Sequence, residues 1–347
     1  MVERLAHVVL FVGDLDLAEK FYCDVLGMVR TSRTSNALYL RGYGEYDSWT
    51  LGLVVDPSYP KGLHHLSLKV TKGSSLWENL ASEASRNNQA SAGTGRKDRE
   101  LECFEGSIRI TSPEGFPLEF IDKVTEVEWL RATDDLEVPV HPRRRAKGNR
   151  GLWRLDHVNL RVPDVGEALV FWRDKLGFSV SEWVRDGDKV WAAWLRRRRV
   201  SHDVALAWSQ AWAGNGVGLP EVGFHHVAFL VETPQDLLLF ADRLADWGYP
   251  DLIEFGPGRH GISDAYFLYI RDPFGNRIEL FCLDYERDLE SPPIEWSPAA
   301  YKKRGLLWWG KSPPIEWREI LPVNLNWVGR EGRETLNSGG EKGGEKV

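Results

Sequence analysis

Cysteine is scarce in this 347-residue chain: Cys23, Cys103 and Cys282 are the full set, and no Cys-x-x-Cys pair exists. That excludes a disulfide framework and a cysteine-built zinc module. Positive charge is also lacking. With a formal net charge of -7, the chain offers no basic face for phosphate, and no nucleic-acid partner is expected. The run Arg196-Arg197-Arg198-Arg199 is the local exception, expected to be a solvated stretch at a strand or loop edge. No apolar run approaches the ~20 residues that span a bilayer. Met1-Val2-Glu3-Arg4 leads directly into a strand pattern without the apolar core of a signal peptide. The expectation is a cytoplasmic protein with no membrane partner.

What remains is ordinary globular material, 42% apolar and 27% charged, long enough for two domains with cores. Sixteen tryptophans suggest aromatic-lined pockets or interfaces as well as core. The chain also repeats itself. Leu5-Ala6-His7-Val8-Val9-Leu10 through Leu26-Gly27-Met28 matches Leu155-Asp156-His157-Val158-Asn159-Leu160 through Leu176-Gly177-Phe178 without a gap. Gly62-Leu63-His64-His65-Leu66 matches Gly223-Phe224-His225-His226-Val227, and Ser112-Pro113-Glu114-Gly115 with Glu119 matches Asp272-Pro273-Phe274-Gly275 with Glu279.

Within each copy a strand, a helix and further strands follow one another twice. Helical spacing is read over Asp16 to Leu26, Asp164 to Leu176, Ser75 to Ala84 and Pro234 to Trp247, with Gly27 and Gly177 as stops. The fold class is α+β. The copies are expected over 1–125 and 151–285, joined by a polar linker at 126–150. Ser-Pro-Pro-Ile-Glu-Trp occurs at 291–296 and again at 312–317, which suggests an ordered arm, 286–328, lying over the second copy. The Gly/Lys/Glu-rich 329–347 reads as a disordered tail.

The second copy carries the chemistry. Period-2 alternation puts His157 and Asn159 on one face of their strand, with Val158, Leu160 and Val162 on the other. By the same rule His226 opposes His225, which is assigned a structural or supporting role. Glu279 opposes Ile278, Leu280 and Cys282. Two imidazoles and a carboxylate on separate strands form a facial set that suits Fe(II), with Mn(II) as the alternative. Tyr269 and Glu279 flank the Asp-Pro-Phe-Gly turn, and His260 precedes them. Each alone reads as an ordinary core or surface side chain. The weight lies in His157, His202, His226, His260, Tyr269 and Glu279 occurring together.

Gly258-x-His260, Leu268-Tyr269, Asp272-Pro273-x-Gly275 and Glu279 at these spacings resemble the ring-cleavage motif of the type I extradiol dioxygenases. These belong to the vicinal oxygen chelate superfamily, whose fold is two domains, each of paired βαβββ modules. Arg154-Leu155-Asp156-His157, His202-Asp203 and Trp308-Trp309-Gly310 are most similar to the homoprotocatechuate 2,3-dioxygenase and Mn-dependent dihydroxybiphenyl dioxygenase branch. The resemblance implies His157, His226 and Glu279 as metal ligands, and His202 as the acid/base beside bound oxygen. It implies His260 and Tyr269 as hydrogen-bonding partners of the substrate, and Asn159 and Trp194 as pocket walls. A catecholic substrate, O2 and a homotetramer are implied as well.

Two departures matter. The first copy keeps His7, His65 and Glu119 at the ligand positions, but Trp49 stands in the segment matching His202 and Arg109 replaces Tyr269. The first copy is therefore expected to be catalytically silent. The branch's substrate-carboxylate arginine ahead of the Gly-Pro-Gly-Arg-His segment is Phe255 here, and its partner in the arm aligns with Arg304. Losing one cation of a clamp favours catechol and alkyl- or aryl-catechols over 3,4-dihydroxyphenylacetate. The rival readings are a glyoxalase-like metal-dependent lyase or isomerase, and a non-enzymatic binding protein. Neither requires His202, His260 and Tyr269.

Overall fold

The computed structural model describes residues 1–86, 107–127, 130–131, 139–141, 150–212, 222–325 and 327. Cys103, most of the expected linker and the whole expected tail lie outside the described residues. Among the described residues no helix is long and apolar enough to cross a membrane.

The first sheet contains β1 (Val2–Phe11), β2 (Val29–Arg33), β3 (Ala37–Arg41), β4 (Leu51–Val54), β5 (Gly62–Val70), β6 (Ile108–Thr111) and β7 (Pro117–Ile121). They run in the order β2-β3-β4-β1-β5-β7-β6. A two-residue pair, β8 (Leu130–Arg131) with β9 (Pro139–Val140), follows. The second sheet is built from β10 (Arg154–Val162), β11 (Ser179–Asp186), β12 (Lys189–Arg196), β13 (Val204–Trp208), β14 (Gly223–Leu230), β15 (Ile253–Arg259), β16 (Tyr266–Arg271), β17 (Arg277–Cys282) and β18 (Ile294–Trp296). Its order is β15-β16-β17-β14-β10-β13-β12-β11-β18. Taken from β11 to β16, this is the first sheet repeated strand for strand, and two βαβββ modules complete it. The central strands pair the same way in both: β1 and β10 antiparallel to β5 and β14, which run parallel to β7 and β17.

Helices cover the outer faces for local reasons. Asp14 and Asp164 cap α1 (Leu15–Glu19) and α3 (Val165–Leu169), accepting from Leu17 N at 2.7 Å and Glu167 N at 3.0 Å. Both helices then widen into π-helical turns, Lys20–Val25 and Val170–Lys175, where the spacing predicts continued α-helix. Gly27 ends the first at φ 68°. Its position is doubly restrictive, because a Cβ there would lie 2.7 Å from the Gly151 Cα, where the two copies touch. In each copy α2 (Ser75–Arg86) or α4 (Pro234–Asp246) follows the His-His strand, and Leu80, Phe240 and Leu244 are fully buried.

Strict alternation fails at two places, and both failures matter. Between β10 and β14 the register skips Asp156 and then His225, each an extra residue in a β-bulge. The bulges explain why Leu155 and Phe224 join the core with Val158 and Val227. They also overturn the expectation that His225 faces away from His226. The first copy repeats both, skipping Ala6 and His64.

The arginine run is not solvated. Arg196 is fully buried and donates to the carbonyls of Arg287 and Asp288, at 3.0 and 2.6 Å. Arg197 bonds Val2 O and Gly177 O, both at 2.6 Å, and Arg198 holds Asp203 and, at 2.7 Å, the carbonyl of Asp156. Only Arg199 stays at the surface, paired with Asp288. Loose backbone carbonyls and buried carboxylates attract the guanidinium forks inward.

The arm covers more than the second copy. Its first Ile-Glu-Trp adds β18 alongside β11, and Glu182 anchors it by accepting from Trp296 Nε1 at 2.7 Å and Tyr285 OH at 2.9 Å. Its second copy of that motif forms the short turn Ile315–Arg318. Beyond it, Leu321 exchanges bonds with Phe224, and Pro322 O accepts from Leu63 N at 2.9 Å, so the arm bridges both sheets. On the same side the turn Asp272–Asn276 plugs into the first copy. Asn276 Nδ2 donates to Phe11 O at 2.9 Å, its Oδ1 accepts from Gly62 N at 2.8 Å, and Tyr22 OH donates to Asp272 Oδ2 at 2.9 Å.

Replacing Asn276 by Ala strands these buried groups, and should lower stability by about 2–4 kcal/mol. The urea denaturation midpoint reads this directly, and an unchanged midpoint would remove the turn from the joint between copies.

Candidate active site

One cavity opens on the inner face of the second sheet. It encloses about 630 Å³ including its mouth, and its wall contains His157, Asn159, Arg161, Trp191, Trp194, His202, His226, His260, Tyr269, Glu279, Tyr301 and Trp317 among others. The structure thus gathers eight of the ten residues singled out from the sequence. Tyr269 and Glu279 stand directly opposite each other on β16 and β17.

At the floor, Glu279 Oε2 is 3.1 Å from His157 Nε2 and 3.0 Å from His226 Nε2, and the two nitrogens are 3.4 Å apart. Donor atoms on one face of an octahedral ion with bonds of about 2.1 Å lie about 3 Å apart. The triangle therefore fits a divalent first-row metal without rearrangement. Among the described residues this is the one group of three so placed, and all three are buried.

The bulges supply what such ligands need behind them. Asp156 Oδ2 lies 3.0 Å from His157 Nδ1, and is itself held by Arg154 at 3.1 Å. His225 bonds the Trp317 carbonyl through Nε2 at 2.9 Å, and its Nδ1 is 2.7 Å from His226 Nδ1. The carbonyl can only accept, so His225 Nε2 carries a proton and its Nδ1 accepts from His226. Both imidazoles then hold a proton on Nδ1, which reserves Nε2 for the triangle. A bulge residue fixes the tautomer of the histidine that follows it, twice.

Electrostatics follow from the same contacts. Burial opposes charge on His157, but the bonds to Asp156 and Glu279 outweigh it and lift the imidazole to about 9. Burial would raise Glu279, yet the bonds from His157 and His226 hold its carboxyl well below the usual range. At His226 burial prevails over the Glu279 charge and lowers the ring to about 4.

Around this floor stand the other side chains. His202 lies over His157 with ring centres 3.9 Å apart, and its Nδ1 meets Ser201 Oγ at 2.9 Å. Burial first, then the charge on His157, keep it neutral. His260 bonds the Leu306 carbonyl through Nδ1, which leaves Nε2 facing the Tyr269 hydroxyl at 3.3 Å. Burial first, then Glu279, raise the Tyr269 phenol well above its ordinary value, so it is a hydroxyl donor.

Two expected substrate groups are not brought to the wall. Phe255 stacks behind Tyr269, ring centres 5.6 Å apart and planes 7° from parallel. Arg304 turns outward and donates to Trp308 O at 2.9 Å. Conversely Asp156, Arg161, Tyr301 and Trp317 escaped the sequence reading. Arg161 was legible: the alternation that places His157 and Asn159 inward places it there too. The arm residues had no such signal.

The first copy shows the same frame disarmed. His64 Nδ1 and His65 Nδ1 are 2.7 Å apart, as in the second copy. Glu119, however, is taken by Ser67 Oγ at 2.8 Å and Arg109 at 3.3 Å, and Trp327 stacks on His65 with ring centres 4.6 Å apart. Ala6 stands where Asp156 stands, and Trp49 lies 3.9 Å over His7 as His202 does over His157.

Asp156→Asn should weaken divalent-metal retention by about 10–100-fold, read by competition with a chelator. His65→Ala should leave metal content unchanged, and loss of metal in that variant would restore a site to the first copy.

Comparison with known proteins accords with this geometry. The model of the Glyoxalase/Bleomycin resistance protein/Dioxygenase superfamily matches residues 4–86 and 154–280. Metapyrocatechase of Geobacillus stearothermophilus is 30% identical, over 91% of this chain and 92% of its own length. A manganese-dependent 2,3-dihydroxybiphenyl 1,2-dioxygenase of Geobacillus genomosp. 3 is 27% identical, over 89% and 94%. The structure of homoprotocatechuate 2,3-dioxygenase from Arthrobacter globiformis superposes with a TM-score of 0.76 at 32% identity, covering 94% of each chain. With the vicinal oxygen chelate fold, that family match and these relatives, the chain belongs to the Glyoxalase/Bleomycin resistance protein/Dioxygenase superfamily and, within it, to the extradiol ring-cleaving dioxygenases.

Proposed function

We propose that the protein cleaves a catechol ring beside its two hydroxyls, adding both atoms of O2 to give the ring-opened hydroxymuconic semialdehyde. The observation that carries this reading is the His157–His226–Glu279 triangle at the floor of a cavity whose walls also present His202, His260 and Tyr269. A glyoxalase-like lyase would use the triangle and leave those three side chains without a task.

His157, His226 and Glu279 would hold Fe(II), with Mn(II) the alternative, since the same donor set accepts both. Bound there, such an ion supplies Lewis acidity toward the catechol oxygens and redox exchange with O2. The chain's own residues do the rest. Tyr269 OH, an obligatory donor at neutral pH, hydrogen-bonds a catechol oxygen, with His260 Nε2 beside it to accept a proton. His202, kept neutral by burial, can hold a proton on Nε2 while Ser201 bonds Nδ1, and so give it up or take it back during turnover. Asn159, whose Oδ1 has no hydrogen-bond partner among the described residues, and Trp194 fix the ring's plane. Tyr301, Leu306 and Trp317 from the arm close the cavity against bulk water.

Adding catechol to Fe(II)- or Mn(II)-loaded protein should consume oxygen and yield a yellow product. No uptake across a catechol panel would sink the reading. Glu279→Ala should lose tightly bound metal, by elemental analysis. His202→Phe should keep metal and catechol binding while turnover falls by about 10²–10⁴-fold, and unimpaired turnover would take the proton-handling role from that histidine. Elemental analysis of protein purified without added metal distinguishes iron from manganese.

A further inference from the structure

One charged group in the cavity has no task in the reaction described. Arg161 is 4% exposed and reaches the cavity wall from β10, on the face shared by His157 and Asn159. It makes no hydrogen bond or ion pair with any described residue. Its neighbours are the Trp317 ring, 5.9 Å from the guanidinium carbon, and the Tyr301 phenol. Burial is the largest influence on it and lowers it to about 10, so the side chain remains a cation at neutral pH.

Among the described residues the two other buried arginines, Arg277 and Arg196, each spend N–H groups on acceptors within the protein. Arg277 forks onto Glu254 at 2.6 and 2.9 Å and donates to the carbonyls of His225, Glu316 and Glu319, each at 3.1 Å. Arg196 spends its fork on two carbonyls. A desolvated guanidinium with no acceptor is costly, and it persists where something that enters the site completes it. The planar fork of N–H donors matches a carboxylate.

Position supports that match. Strand rise puts the Arg161 Cα about 13 Å along β10 from that of His157, with Asn159 between. A benzene ring carrying a short acidic chain, met by an extended arginine, fills such a span. On either side of β10, β13 and β14 pair Arg161 with Ala207 and Gly223, and Ile320 of the arm packs over Gly223.

We infer that Arg161 binds a carboxylate on the ring substituent, making an acidic catechol the substrate class. This rests on the ring-cleavage reading and reverses the preference for neutral catechols drawn from Phe255, because neither Phe255 nor Arg304 reaches the cavity wall while Arg161 does.

The test is equilibrium binding without oxygen, by calorimetry on metal-loaded protein. It compares 3,4-dihydroxyphenylacetate with 4-ethylcatechol, in which a methyl replaces the carboxylate. The acid should bind at least about tenfold more tightly. Arg161→Met should abolish that advantage by weakening the acid alone, and Arg161→Lys should restore part of it. Thermal melting should show no loss of stability in Arg161→Met, since a buried unpaired cation has been removed. Equal binding of the two ligands by the wild type, or an advantage that survives Arg161→Met, would overturn the inference. So would a lowered melting temperature with loss of 4-ethylcatechol binding, which would make Arg161 a structural residue. Oxygen uptake separates the two proposals: Arg161-dependent acid binding without cleavage of any catechol sinks only the ring-cleavage reading, and cleavage without a preference for the acid sinks only this one.

Discussion

A carboxylate and two imidazole nitrogens within 3.4 Å of one another, all buried, form an arrangement that a protein interior does not favour by itself. Each charge loses hydration worth several kcal/mol. The arrangement persists because everything behind it is over-determined. Asp156 holds His157 and is held by Arg154 and Arg198. His225 holds His226 and is held by the Trp317 carbonyl, and its own carbonyl receives Arg277. The buried arginine network that stiffens this half of the molecule is therefore part of the triangle's support, although among the described residues no arginine bonds the triangle itself.

Backbone irregularity makes that support reachable. In a regular strand the residue before a ligand histidine points to the opposite face. The bulges at Asp156 and His225 break the alternation so that neighbouring residues serve one site, while Leu155 and Phe224 return to the core. The cost is two unpaired ladder positions on the central strands. The return is fixed tautomers for His157 and His226, a requirement that side-chain packing alone would meet less stringently.

Much of this was legible in the sequence. The duplication gave the two sheets, and the six-residue group gave the floor and two walls. Three things were not legible, each for a physical reason. The bulges leave no compositional mark, so period-2 reasoning sent His225 to the wrong face. The arginine run read as solvated because charge is ordinarily exposed, and its buried acceptors are carbonyls 20 to 195 residues away in sequence. The arm contributes Tyr301, Leu306 and Trp317 through an irregular path with no periodicity to read. Phe255 and Arg304 were carried by resemblance alone, and the geometry gave neither a place in the cavity wall.

The first copy shows which features belong to the fold and which to chemistry. Both bulges, the His-His contact and the carboxylate recur there, so none of them distinguishes the second copy. What differs is charge pairing. Arg109 on β6 opposes Glu119 as Tyr269 opposes Glu279, and a guanidinium at that point neutralises the carboxylate a metal would need. Tryptophans occupy the space above His7 and His65, where the second copy keeps His202 and open cavity. The first copy keeps its structure because Trp stacking and the Arg109–Glu119 pair satisfy buried groups that a metal would otherwise satisfy. The same logic distinguishes Arg277 from Arg161 in the second copy. A buried ionic group whose partner is part of the protein supports the fold, and one without such a partner marks where a ligand completes the structure.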